Sequence, residues 1–334
     1  MSEPTKLRWG VLSTAKIGRK QVIPALQKSR LGEVTAIASR DLARAQQAAD
    51  GLVIGRAYGS YEELLADPAV DAVYNPLPNH LHVPMSIAAL EAGKHVLCEK
   101  PIALSAAEAE KLLAAGEAHP ELKLMEAFMY RFHPQWERVF ELIAAGTLGE
   151  LREVRGWFSY FNDDPQNIRN QSDLGGGALM DIGCYPISMA RFVLGREPVG
   201  VLARVERDPR FGTDRHAAAV LDFNGGAVAT LSCGTQMAPG QGATIAGTAG
   251  VLRIEWPFTP PPEDSVRMWL DLDGATEEIV VGACDKYTAQ ADRFAEAVLN
   301  DQPVPTPLAD AVANMRVIEA ALRSGESGRR VAIG

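Results

Sequence analysis

Cysteine is scarce in this chain. Four occur in 334 residues, Cys98, Cys184, Cys233 and Cys284, and no two form a Cys-x-x-Cys pair. That spacing argues against a disulfide framework or a cysteine zinc cluster and fits a reducing compartment. Long apolar runs are also missing, and none approaches the ~18 residues of a membrane span. Positive charge is in deficit: 33 Lys and Arg against 42 Asp and Glu leave a net charge of -9. Such a balance favours solubility and disfavours nucleic acid or an anionic membrane as partner. Repeats and low-complexity tracts are absent. The polar residues 1–6 lead straight into an apolar strand pattern, so no secretory leader and a cytoplasmic location are expected.

What is present is the composition of a globular protein, 47% hydrophobic and 22% charged. The length exceeds one ordinary core, so two domains are expected, 1–126 and 127–334. The first half alternates short apolar strands (7–12, 33–38, 71–75, 95–98, 122–125) with helices. The helices are expected at 16–28, bent by Pro24, at 41–49, at 81–92 ending on Gly93, and after the capping boxes Ser60-x-x-Glu63 and Ser105-x-x-Glu108. This alternation specifies an α/β domain with a parallel, doubly wound sheet, which binds ligands beyond the carboxyl ends of its strands. Those ends carry Ser13, Ser39-Arg40, Asn75-Pro76, Glu99-Lys100 and Glu126.

Beyond residue 126 the pattern changes. Strand-like runs at 151–161, 199–206, 216–223, 227–232, 244–247, 251–256, 266–272 and 278–281 follow one another, with Asn224-Gly225-Gly226 as a hairpin turn. Helices are expected at 134–145, 179–194, 287–300 and 308–324. This is an α+β domain with a large, mostly antiparallel open sheet. So few helices leave sheet face to cover, so a homodimer or homotetramer through that sheet is expected.

The turn after the first strand, Gly10 to Gly18, stands where a glycine-rich phosphate loop would stand, with Ser13 and Ala15 in place of two glycines. Ser13, Thr14, Ala15, Lys16 and Ile17 are the candidate pyrophosphate contacts. Ser39 and Arg40 close the second strand, where a hydroxyl and a guanidinium suit the 2′-phosphate of NADP. Asp41 either caps the next helix or faces the ribose. Lys100 ends a strand, and Pro101 fixes the backbone after it. An ammonium there can stabilise alkoxide charge during hydride transfer, and burial would lower its pKa toward acid–base range.

Asp181 and Tyr185 are four residues apart on an expected helix, hence on one face, and can orient a substrate and pass a proton. Helix capping by Asp181 and packing by Tyr185 would explain the same pair. The preceding Gly175-Gly176-Gly177 lets backbone pass close to a ligand. Arg131 and His133 are candidates for sugar hydroxyls, their aromatic neighbours being equally suited to an interdomain core. Arg169 lies in a long loop, 162–177, of the kind that often serves function. Asn79-His80-Leu81-His82 has no neighbouring carboxylate, so no metal is expected.

The residues resemble the Gfo/Idh/MocA oxidoreductase family over nearly the whole chain. The likeness rests on the opening turn, on Pro76-x-Pro78-Asn79-His80-x-His82, on Glu99-Lys100-Pro101 and on the Gly-Gly-Gly-x-Leu-x-Asp-x-Gly-x-Tyr run ending at Tyr185. The resemblance implies an N-terminal Rossmann domain and an active site between two domains. Pro76, Leu77, Asn79, His82, Glu99 and Lys100 join the cofactor contacts, and Lys100, Asp181 and Tyr185 are the catalytic residues. Tyr185, where many members carry histidine, is similar to the subgroup of glucose-fructose oxidoreductase, dimeric dihydrodiol dehydrogenase and NADP-dependent aldose dehydrogenases. The implied activity is NADP-dependent hydride transfer at a sugar C-OH or C=O, most readily oxidation of an aldose to a lactone. Reduction of a keto-sugar, oxidation of a dihydrodiol, and a non-catalytic NADP sensor are the alternatives.

Overall fold

The computed structural model describes residues 6–334. In chain order its elements are β1 (Leu7–Leu12), α1 (Ile23–Lys28), β2 (Gly32–Ala38), α2 (Leu42–Leu52), β3 (Arg56–Tyr58), α3 (Tyr61–Leu65), β4 (Ala72–Asn75), α4 (His82–Glu91), β5 (His95–Cys98), α5 (Ala106–Ala118) and β6 (Leu124–Glu126). They continue with α6 (Pro134–Ala144), β7 (Leu151–Phe161), α7 (Cys184–Leu194), β8 (Pro198–Arg207), β9 (Asp214–Phe223), β10 (Val228–Gly234), β11 (Gln236–Gly247), β12 (Gly250–Ile254), β13 (Val266–Leu272) and β14 (Ala275–Val281). The last are α8 (Lys286–Leu299), α9 (Leu308–Ser327) and β15 (Val331–Ala332).

The chain forms two compact units, residues 1–132 with 285–312, and residues 133–284 with 313–334. They differ from the expected division, 1–126 and 127–334, in two places. The cut falls after Phe132, and the segment carrying α8 returns to the first unit. The physical reason is the buried side of α8. Phe294 packs against Trp9 of β1 with ring centroids 5.3 Å apart, and neither ring is exposed. Thr288 and Asp292 add hydrogen bonds to the Ala25 carbonyl and the Ser29 hydroxyl.

The first unit holds a six-stranded sheet in the order β3-β2-β1-β4-β5-β6, with every pairing parallel. Strand order reverses between β1 and β4, so the crevice for a ligand opens beyond Leu12 and Asn75. The capping boxes form as expected: Ser60 accepts from the Glu63 N–H and Ser105 from the Glu108 N–H. The helix expected at 16–28 forms as a continuous run, Lys16 and Ile17 leading into a π-helical turn, Gly18–Val22, and then α1, with Pro24 just after the π turn.

The second unit holds a nine-stranded sheet in the order β14-β13-β12-β11-β7-β10-β9-β8-β15. All its pairings are antiparallel except β7 with β10. The Asn224-Gly225-Gly226 turn joins β9 to β10, with φ of 85° and 82° at its glycines. Helix α7 lies on one face of β7, and Gly156 makes that approach possible. A Cβ there would stand 2.6 Å from Met189 Cε and 3.0 Å from Pro186 Cβ. Among the described residues no helix is long and apolar enough to cross a membrane.

Candidate active site

In the first unit, the β1 turn places Ser13 at φ 118°, a region that side chains rarely adopt, and its hydroxyl accepts from the Ala15 N–H at 2.9 Å. Thr14, Ala15 and Ile17 are half-buried in this turn, and Lys16 is exposed. Ser39 is buried at the end of β2, and Arg40 is exposed beside the Tyr61 phenol. The alternative left open for Asp41 is resolved toward capping, because its carboxylate accepts from the Ala43 and Arg44 N–H groups at 2.9 and 3.3 Å. With that carboxylate turned into α2, the strand end offers a hydroxyl and a guanidinium. This donor set fits a dinucleotide bearing a 2′-phosphate.

The loops after β4 and β5 are tied together. The Glu99 N–H donates to the Asn75 carbonyl at 3.1 Å, and the Glu99 carboxylate accepts from the Tyr74 hydroxyl at 2.8 Å and the Lys100 N–H at 3.3 Å. The peptide between Lys100 and Pro101 is cis. His82 is wholly buried, with Nδ1 2.7 Å from the Pro101 carbonyl and Nε2 2.7 Å from the Leu77 carbonyl. Burial pushes its pKa down to about 4 and outweighs the two carbonyls that favour the charged ring. The neutral ring then donates to one of the two carbonyls. His82 therefore braces the walls around Lys100, and its ring nitrogens are turned to backbone. Pro76 and Leu77 are buried beside it, and Asn79 is half-buried.

Two expected substrate contacts have partners within the protein. Arg131 is buried and pairs with Asp310 at 2.9 Å, its guanidinium also lying 5.7 Å from the centre of the Phe128 ring. In the second unit His133 is wholly buried, and its Nδ1 accepts from the Gln135 N–H as the cap of α6. Both were expected at sugar hydroxyls from their place after the last strand of the first domain.

Asp181 is the centre of the second unit's polar cluster. Its Oδ2 accepts from the Tyr160 hydroxyl at 2.6 Å and from Arg169 Nε at 2.8 Å. Burial, and then the carboxylate, raise the Tyr160 pKa, and the same carboxylate holds Arg169 firmly charged. Tyr185 is buried against Phe158 and Phe258, both at 5.6 Å between ring centres. Phe158 and Tyr160 lie two apart on β7, hence on one face, and this is the face that Gly156 opens to α7. The segment before α7 is a π-helical turn, Leu179–Gly183. Asp181 meets β7 at Tyr160 and Tyr185 meets it at Phe158.

Tyr160 escaped the sequence reading. The only signal was its phase: counting alternately from Gly156 along β7 brings it to the covered face. The triple glycine also has a different explanation from the one expected. A Cβ on Gly176 would stand 2.5 Å from the Arg169 carbonyl oxygen, and one on Gly177 would meet the Asp214 carboxylate at 2.0 Å. These glycines accommodate the protein's own backbone and carboxylate.

Comparison with known proteins agrees with this architecture. Residues 7–127 match the model of the oxidoreductase family with an NAD-binding Rossmann fold, and residues 136–253 match the GFO/IDH/MocA C-terminal domain. The chain is 45% identical over 327 residues to an uncharacterized oxidoreductase of Rhizobium meliloti, covering 96% of this chain and 98% of that one. It is 40% identical over 326 residues to D-xylose 1-dehydrogenase (NADP+) 2 of Haloferax volcanii, covering 97% and 99%. A 3-ketoreductase of Actinomadura kijaniata, solved with NADP and TDP-benzene, superposes with a TM-score of 0.90 at 34% identity, over 96% of this chain and 98% of that one. The two family models and the near full-length identities of 45% and 40% show that this chain is an NAD(P)-binding oxidoreductase of the Gfo/Idh/MocA family.

Proposed function

We propose that this oxidoreductase uses NADP to oxidise an aldose at its anomeric carbon, giving a lactone. The observation that carries the aldose reading is the 40% identity, across nearly the full length of both chains, to an NADP-dependent D-xylose 1-dehydrogenase. The cofactor reading is supported by the end of β2, where Ser39 and Arg40 remain for a 2′-phosphate while Asp41 caps α2. Ser13, Thr14, Ala15, Lys16 and Ile17 would hold the pyrophosphate. Pro76, Leu77, Asn79 and Glu99 would line the nicotinamide side.

NADP, when bound, supplies the hydride acceptor. Lys100 holds the sugar oxygen and stabilises negative charge on it as the C–H bond breaks. Lys100 also tunes Tyr185, which takes the hydroxyl proton as the tyrosinate and becomes the neutral phenol, and Asp181, gripped by Tyr160 and Arg169, orients the substrate or the phenol. A keto-sugar reductase would run the same proton and hydride transfers in reverse, and the likeness to the 3-ketoreductase favours it as the second reading. We also propose a homo-oligomer formed through the open face of the nine-stranded sheet.

The test is single-turnover absorbance of the reduced nicotinamide, with stoichiometric enzyme and NADP, a panel of aldoses, and NAD as control. A fast rise with one pentose or hexose is the expected result. Lys100→Met should lower that rate by about a thousandfold or more while NADP affinity stays nearly unchanged. Turnover at the wild-type rate in Lys100→Met would sink the mechanism. A proven NADP complex that oxidises no aldose but is oxidised, in reduced form, by a keto-sugar would establish the second reading.

A further inference from the structure

We propose that Asp214 is a positioning residue for Asp181 and Tyr185. Its carboxylate comes from β9 and pins the start of the segment that carries both. This inference rests on the roles proposed above for those two residues. Asp214 Oδ2 accepts from the Leu179 N–H at 2.7 Å, and the Ala178 N–H adds to the same carboxylate. The π-helical turn Leu179–Gly183 has no side-chain cap of its own, so its first donors depend on a residue 35 positions away in sequence. Gly177 is matched to that carboxylate. It has φ 124°, and any Cβ would collide with Asp214 Oδ1. The chain then continues with the Asp181 N–H donating to the Gly177 carbonyl at 3.0 Å, so the anchor is one hydrogen bond from the candidate catalytic carboxylate.

The anchor is ionisable. Asp214 is almost fully buried, and burial pushes its pKa up to about 6, against the backbone donors and the charge of Arg207 at the end of β8. The Cys233 thiol on β10 lies near it, its own pKa raised by burial first and by the Asp214 charge second. Above about pH 6 the carboxylate attracts the N–H groups as a charged acceptor. Below it the neutral carboxyl keeps a weaker grip, and the segment loosens.

The experiment compares wild type, Asp214→Asn, Lys100→Met and Tyr185→Phe on one substrate across pH 5 to 8. Asp214→Asn keeps the shape and one acceptor but cannot ionise. It should lower kcat about 10- to 100-fold at pH 7.5 through loss of placement, leave NADP affinity unchanged, and abolish the wild-type acid limb near pH 6. Wild-type kcat together with an unchanged acid limb in Asp214→Asn overturns the proposal. If Lys100→Met and Tyr185→Phe also turn over normally, the site reading itself has failed. If they are inactive while Asp214→Asn is normal, only the role of Asp214 falls. Should Asp214→Asn not fold, amide hydrogen exchange in wild type decides. Protection of residues 178–181, corrected for intrinsic rates, must fall between pH 7 and pH 5, and constant protection overturns the anchor.

Discussion

At the residue scale, the short 2.6 Å bond from Tyr160 to Asp181 has a consequence that can be measured. A phenol and a guanidinium share one carboxylate oxygen, so removing either leaves Asp181 less constrained in rotation. Tyr160→Phe should lower kcat about tenfold, a loss typical of one hydrogen bond to a charged group. KM should change little if Tyr160 acts through Asp181. A rise in KM with kcat intact would show direct contact with the sugar. The buried Asp214 carries a stability signature as well. Its pKa in the folded chain, about 6, lies above the ordinary 3.8, so the folded state holds the proton more tightly. Stability therefore rises as pH falls from about 6 toward 3.8, by up to about 3 kcal/mol at ~1.4 kcal/mol per pH unit. Asp214→Asn cannot take up that proton, so in denaturant titrations wild type should gain stability relative to the variant as pH falls across that window.

At the scale of elements, sequence pattern carried furthest where it was long. The strand-like run 151–161 matches β7 with the bounds observed, whereas only the last four residues, 244–247, of the longer β11 were expected. The three-residue edge strand β3 and the two-residue β15 left no such trace, because a short edge strand is made by its partner's hydrogen bonds more than by its own residues. The two π-helical turns were also illegible. Apolar spacing does not distinguish a five-residue π turn from the first turn of an α-helix, and the second π turn carries Asp181. Lys100 and Asp181 stood out because their surroundings are unusual in sequence. Tyr160, Asp214 and the bracing by His82 depend on contacts between distant segments, which composition and spacing do not encode.

The return of α8 to the first unit is the largest such contact. It makes a testable claim about that helix. Phe294→Ala removes a wholly buried ring from Trp9 and should cost about 3–5 kcal/mol. Urea titration should show the loss in the transition that also abolishes NADP binding. If α8 were a detachable appendage, NADP affinity and that transition would both be unaffected.

At the scale of the whole molecule, the argument concerns the second unit's sheet. Strand register aligns Leu202, Val220, Thr230, Arg155, Thr244, Arg253, Trp269 and Glu278 in one row across eight strands. This row lies on the side of β7 opposite Phe158 and Tyr160. Trp157, Phe161, Leu202, Val220 and Val280 expose large apolar side chains. Trp157 lies across β11, and glycine at 240 and 242 makes room for it, since a Cβ at either would stand 2.4 or 2.7 Å from the indole. Arg155 and Arg253 flank a groove with Trp157 and Trp269. A face that mixes exposed apolar side chains with arginines fits the proposed interface, and a stable dimer needs ~800 Å² from each partner, within reach of a sheet this wide. Trp157→Glu places a carboxylate in the middle of that strip and should convert the oligomer to monomers in light scattering after gel filtration. Successive β7 side chains point to opposite faces, so the same change leaves the Phe158–Tyr160 face in place. The monomeric variant should therefore keep single-turnover hydride transfer close to the wild-type rate. Wild type eluting as a monomer at micromolar concentration would refute the oligomer, and a monomeric Trp157→Glu without activity would show that assembly itself shapes the site.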